Sequence, residues 1–441
     1  MHQSDLSKLS LFPLTKDVDN SGHLHIGGCD CVELAKKFGT PLYVFDAVTL
    51  RSRCQEFKTE FTKRHSNTLI IYASKAFLNR ALAIILKEEG LGLDVVSGGE
   101  LSLAQSVDFP CERVYFHGNN KTADELKLAL DWGIGRIVVD NFDELELLAS
   151  LAHKTGAKQA ILLRINPGVD PHTHRHTTTG ILDSKFGFPL AAGQAETAVA
   201  KAMATPNLDL VGLHFHLGSP VPDTSSYQIA IDLILNFARE MKAKCDFHLA
   251  ELSPGGGFAV KYTADSQTPG IADYAEAITA KVKGLAPELD LTYPKLIIEP
   301  GRAIVAQAAV ALYTVGSSKE IPGVRKYICV DGGMGDNIRP TLYEARYEAL
   351  VANKVNDNES ANVTIAGKYC ESGDILVRDV SLAPVSTGDI VAIPVSGAYS
   401  IPMSNNYNMV PRPAIAMVKD GKARLIRKRE NYKDLMRLDL T

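Results

Sequence analysis

TLIIYASK, residues 68–75, decides how the rest of the chain is read. It is an apolar run of strand length that ends on polar residues and a lysine. A run apolar on both faces suits a strand covered on both sides, as in a parallel sheet. Outward from it the same unit recurs. GLDVVSGGE starts at Gly92, RVYFHGNNK at Arg113, RIVVDNFDE at Arg136 and AILLRINPG at Ala160. LVGLHFHLGS from Leu210, FHLAELSPGGG from Phe247 and KLIIEPGR from Lys295 complete eight runs. Helix-length amphipathic stretches such as NRALAIILKEEG, TADELKLALDWG and DELELLASLAHKTG separate most of them. Gly90, Gly133 and Gly156 stand where those helices should stop. Eight strand–helix units predict an α/β architecture, a (β/α)8 TIM-like barrel over residues 45–302.

Beyond Arg302 the texture changes. KYICVDGG, NVTIAG, DILVRDV, DIVAIPV and ARLIRKRE lie between clusters of Gly, Pro and Asn. They predict a mainly antiparallel β domain, barrel-like or sandwich-like. GHLHIGG and PLYVFD near the N-terminus could add strands, so residues 1–44 and 303–441 are expected to form that domain together.

Composition narrows the function classes. Of 441 residues, 45% are hydrophobic and 22% charged, which excludes a disordered or fibrous chain. The net charge is −4 and no long basic run is present, so no nucleic-acid partner is expected. Arg424–Arg429 reads as a solvated strand. The most apolar stretch, Ala303–Val315, is too short to span a membrane and contains Gln307. The N-terminus shows no basic start followed by an apolar core, so a cytoplasmic protein without a membrane partner is expected. Seven scattered cysteines argue against a disulfide framework and fit a reducing compartment. Cys29 and Cys31 form C-x-C without a second pair, and no zinc site is expected there.

The chemistry lies at the strand ends. Lys75 closes the first run, where desolvation at a barrel mouth would favour a neutral, nucleophilic amine. Gly255, Gly256 and Gly257 follow the seventh run, and their N–H groups could cradle a phosphate. Glu299–Pro300–Gly301–Arg302 follow the eighth, and the loops after strands seven and eight are the usual phosphate site of such barrels. A lysine, a phosphate cradle and an acid on one rim suit pyridoxal 5′-phosphate. A carboxylate such as Glu299 beside the pyridine nitrogen would keep the ring protonated and electron-withdrawing, which favours decarboxylation. His214 and His216 alternate on the sixth run and could share a face, as a metal pair or with one imidazole against the cofactor ring. A metal-dependent hydrolase using them would want further ligands such as Asp94 or Asp140. His172, His174 and His176 alternate in a Thr-rich loop and read as solvated or lid residues.

Together these motifs resemble the diaminopimelate decarboxylase family, pyridoxal-phosphate enzymes of the alanine-racemase-like barrel group. The resemblance runs through YASKA, DVVSGGE, HGNNK, RINPGVDPHTH, DSKFGF, GLHFHLGS, GGGF and EPGR. In the β domain it continues through DGGMGDNIRPTLYEA, CESGD, GAY and SNNYNMVPRP. It implies that Lys75 bonds covalently to the cofactor, His216 stacks on its ring and Asp94 orients nearby groups. Ser219, the three glycines and the backbone of Gly301–Arg302 would hold the phosphate, and Glu299 the pyridine nitrogen. Tyr399 would touch cofactor and substrate. Arg302, Arg339 and Tyr343 would grip the distal carboxylate of the substrate, and Glu371 its distal amine. Cys370, the acid near the reacting carbon, and Glu371 would enter the site of a second subunit, which implies a homodimer. No metal is implied. The reaction implied is loss of CO2 from the D-centre of meso-2,6-diaminopimelate to give L-lysine, the last step of lysine biosynthesis. Ornithine, D-lysine or a carrier-bound glutamyl group are the alternative substrates.

Overall fold

A computed structural model describes residues 7–170, 179, 183–191, 193–357 and 359–440. His172, His174 and His176 lie outside the described residues. The eight apolar runs form eight parallel strands: β1 Thr68–Ala73, β2 Gly92–Val95, β3 Val114–Phe116 and β4 Arg136–Val139, then β5 Gln159–Asn166, β6 Leu208–His214, β7 Glu251–Gly255 and β8 Lys295–Ile298. Each pairs with its neighbour, β8 returns to β1, and the sheet closes into a barrel. Helices Arg80–Glu88, Gly98–Gln105, Ala123–Trp132 and Phe142–Thr155 follow the first four strands. Each starts at a polar cap (Asn79, Ser97, Thr122, Asn141) whose side chain accepts a free N–H of the first turn. Gly133 and Gly156 end two of them in the left-handed region, as their sequence positions suggest.

Inside the barrel Ile71, Tyr115, Val138, Leu162 and Ile297 form a packed layer. The N-terminal end is closed by charge. Glu251, buried at the start of β7, accepts Arg136 Nη2 at 2.6 Å and Tyr115 Oη at 3.1 Å, with Lys295 Nζ 3.8 Å away. Ions this deep persist only when paired. The knot leaves the C-terminal strand ends for chemistry.

The second unit is built on a mainly antiparallel sheet. Its strands are β9 Ala309–Ile321, β10 Arg325–Val330, β11 Leu350–Val351, β12 Ala361–Ala366 and β13 Ile375–Leu382. β14 Ile390–Ile393, β15 Ala414–Lys419 and β16 Lys422–Arg427 follow. The strand Leu42–Asp46, from the N-terminal segment, lies between β9 and β15. Phe12, Leu24, Leu34, Val44, Leu312 and Val418 belong to one buried cluster.

By compactness the barrel unit comprises residues 54–259 and 268–301, and the β unit residues 1–53, 260–267 and 302–441. These limits differ from the expected 45–302. The helix Ala47–Thr62 is divided at Arg53, and the irregular stretch 260–267 joins the β unit. Tyr262 explains the second shift, because its partners Arg302, Arg339 and Tyr347 all belong there. Among the described residues no helix is long and apolar enough to cross a membrane.

Candidate active site

The barrel's C-terminal strand ends bring Lys75, Asp94 and Glu299 together as the sequence suggests, and add residues it did not mark. Lys75 sits one residue beyond Ser74 in the short 3-10 turn that follows β1. Its Nζ lies 3.7 Å from Asp94 Oδ2 on β2. Asp94 is fully buried, and among the described residues neither carboxylate oxygen has a hydrogen-bond partner. Burial alone would raise its pKa. The field of His117, Lys75, His214 and Arg164 outweighs burial and holds the carboxyl below its usual range.

Glu299, just past β8, faces three groups. Its Oε1 accepts Ser253 Oγ at 2.7 Å and lies 3.5 Å from His117 Nε2. Its Oε2 lies 3.3 Å from His214 Nε2. Burial raises the Glu299 pKa against the pull of His117 and Ser253. Burial also depresses both imidazoles, His117 to about 4 and His214 well below the ordinary histidine range. The two rings meet edge to face at 4.9 Å.

The H-x-H pair does not converge. β6 ends at His214, so the alternation that would put both rings on one face stops there. His216 lies beyond the strand end, and its Nδ1 accepts the Gly256 N–H at 3.2 Å. A ring nitrogen that accepts this N–H is unprotonated, and the bond ties the ring edge to the glycine turn. The metal pair expected of a hydrolase is therefore not formed by His214 and His216. Among the described residues the one buried set of ligand-capable atoms is His117, His214 and Glu299, within 4.8 Å of one another.

The glycine turn is a cradle that side chains would fill. Gly257 has φ +103°, and a Cβ there would strike the Gly218 carbonyl oxygen. A Cβ on Gly256 would strike the Glu299 carbonyl oxygen. A Cβ on Gly301 would stand 3.0 Å from Ala73 Cβ, against the turn that carries Lys75. Ser219 is half-buried, just past β6. Buried polar atoms of Asp94, His117 and His214 that have no hydrogen-bond partner among the described residues, an amine beside them and a bare backbone cradle fit a polar aromatic cofactor bearing a phosphate.

The β unit holds a second cluster. Arg302 Nη1 donates to Tyr262 Oη at 2.9 Å, and its guanidinium lies 4.9 Å from the Tyr399 ring centroid. Arg339, also buried, donates to Tyr347 Oη and lies 4.4 Å above the Tyr262 ring. Burial would raise the Tyr262 pKa, but the two guanidiniums outweigh it and hold the phenol below its usual value. Two forks aligned by aromatic faces suit a carboxylate. Tyr343 is half-buried at the end of the helix Arg339–Tyr343.

Cys370 and Glu371 do not join this cluster and are exposed. Their turn is nonetheless fixed. The Cys370 N–H donates to Asn408 Oδ1 at 2.9 Å. Asp374 accepts the N–H groups of Tyr369 at 2.8 Å and Met334 at 2.6 Å.

A family profile for the pyridoxal binding domain of pyridoxal-dependent decarboxylases matches residues 48–306. A diaminopimelate decarboxylase of Bacillus subtilis is 47% identical over 426 residues, 97% of each chain. One from Synechocystis is 41% identical, covering 98% of this chain and 93% of its own. A crystal structure of diaminopimelate decarboxylase from M. jannaschii in complex with L-lysine superposes with a TM-score of 0.91 at 36% identity. It covers 97% of this chain and 98% of that one.

Proposed function

The chain belongs to the diaminopimelate decarboxylase family of pyridoxal-dependent enzymes, and on that premise we infer that it removes CO2 from the D-centre of meso-2,6-diaminopimelate, yielding L-lysine as the last step of lysine biosynthesis. Bound pyridoxal phosphate supplies an electron-withdrawing ring for the electron pair left behind when CO2 departs. Lys75 Nζ would bond the cofactor covalently and exchange with the substrate amine. Asp94, 3.7 Å away, keeps that amine oriented and balances its charge. Gly255, Gly256, Gly257, Ser219 and the Gly301–Arg302 backbone would hold the phosphate, and His216 would lie on the ring. The Glu299 carboxylate would hold a proton at the pyridine nitrogen, and Tyr399 would touch both cofactor and substrate.

Specificity lies in the β unit. Arg302, Arg339 and Tyr343 would take the distal carboxylate of the substrate. A substrate without that carboxylate would forgo the bidentate contacts that two buried guanidiniums can offer. Cys370 would return a proton to the reacting carbon, and Glu371 would bind the distal amine, both in the site of a second copy of the chain. Their exposure in the single chain supports this homodimer. A free Cys370 thiol suits a reducing cytoplasm.

The observation that carries the reading is the pairing of Lys75 with Asp94 beside Glu299 at adjoining strand ends. Its test is CO2 release from meso-diaminopimelate by the purified protein with pyridoxal phosphate. L,L-diaminopimelate, ornithine and D-lysine serve as competitors. Release from ornithine or D-lysine in preference would overturn the substrate assignment.

A further inference from the structure

We infer that Ser253 is a positioning residue that fixes the Glu299 carboxylate and ties it to the glycine cradle. The inference rests on the proposed role of Glu299 toward the cofactor's pyridine nitrogen. Ser253 lies on β7 and is buried. Its Oγ accepts the Gly255 N–H at 3.1 Å. With that lone pair engaged, the hydroxyl proton is directed at Glu299 Oε1, 2.7 Å away. The loop closes through the backbone, where the Glu299 N–H donates to the Gly255 carbonyl at 3.1 Å. The next residue, Gly256, donates to His216 Nδ1.

One serine thus joins the acid proposed for the ring nitrogen to the glycine turn proposed for the phosphate, and the next glycine of that turn holds the His216 imidazole. The chemistry of the hydroxyl sets its role. A donor aimed at a buried carboxylate favours the ionised form, which is the form able to hold a proton on a pyridine nitrogen. It also occupies one side of Oε1 and thereby limits where the remaining lone pairs point. Alanine at this position would supply neither effect. Ser253 touches neither substrate nor reacting atoms in this account. It acts through Glu299.

The test compares wild type, Ser253→Ala, Ser253→Thr and Glu299→Gln as full-length holoenzymes and after cofactor removal. Loss of a hydrogen bond to a charged group predicts a fall in kcat of about 10- to 100-fold for Ser253→Ala. The KM for meso-diaminopimelate should stay within about 2-fold, since the substrate clamp is untouched. Cofactor affinity of the stripped enzyme, read by fluorescence titration, should weaken by about 10-fold. The acidic limb of kcat should move to higher pH, because Glu299 without its donor protonates more readily. Ser253→Thr keeps the hydroxyl and should restore all three readouts. Ser253→Cys, a weaker donor of similar size, carries the same test if the alanine variant fails to fold. Unchanged cofactor affinity and an unchanged acidic limb in Ser253→Ala, beside a crippled Glu299→Gln, would overturn this inference alone. Full activity in Glu299→Gln would overturn the reading of Glu299 itself.

Discussion

Lys75 Nζ, in the turn just past β1, stands 3.7 Å from Asp94 Oδ2 on β2, and the register of the two strands places Ala73 opposite Asp94. Adjacent parallel strands therefore deliver an amine and a buried carboxylate to one point. Lys75→Ala should lose turnover by about 1,000-fold or more, since it removes the amine proposed for the covalent attachment. Borohydride reduction of the wild-type holoenzyme, followed by peptide mapping, should fix the cofactor on the peptide carrying Lys75. Label on any other lysine would refute the assignment.

The Arg302–Tyr262–Arg339 cluster makes a different prediction. Arg339→Lys keeps the charge but loses the planar fork that spans Tyr262 and Tyr347. kcat/KM for meso-diaminopimelate should fall about 10- to 100-fold, carried mainly by KM. A loss confined to kcat would place Arg339 elsewhere in the reaction.

How far all this was legible in the sequence depends on periodicity. The eight barrel strands were readable because strands buried on both faces are written as continuous apolar runs. The seventh run misplaced its strand start at Phe247. The strand begins at Glu251, because residues 247–250 bring the chain over from the helix Ser225–Cys245. The site was legible where glycines or a strand end marked it. His117 carried such a mark, one residue beyond β3 in HGNNK, yet only its place among the barrel ends gives it a partner. Tyr262 and Tyr347 carried none. Both lie in irregular segments, and Tyr262 meets Arg302 and Tyr347 only across long stretches of chain.

Gly257 offers a stability test. A methyl group there meets the Gly218 carbonyl in a backbone conformation L residues seldom adopt. Gly257→Ala should cost about 1–3 kcal/mol and lower cofactor affinity. Gly284→Ala, in a helix with open space around it, should instead stabilise by about 0.5–1 kcal/mol. Paired urea melts with and without cofactor would show both effects.

His117 sets an acid limit. Burial holds its folded pKa at about 4, below the unfolded value of 6.5. Its contribution is therefore present above pH 6.5 and is lost as pH falls toward 4. The thermal midpoint should drop across that window, and His117→Asn should flatten the drop. An identical pH dependence in the variant would remove His117 as its cause.

Cys370 provides the test of shared sites. Its backbone is held by Asn408 while its side chain is exposed, and in the proposed homodimer a second chain receives the thiol. Lys75→Ala and Cys370→Ala should each be nearly inactive alone. Mixed, dissociated and reassociated, half of the dimers pair one of each. In such a dimer one site collects both substitutions, and the other has an intact Lys75 from one chain and an intact Cys370 from the other. Activity should return to about a quarter of wild type, as two-fold symmetry requires. A mixture no more active than its parts would mean that Cys370 serves the site of its own chain.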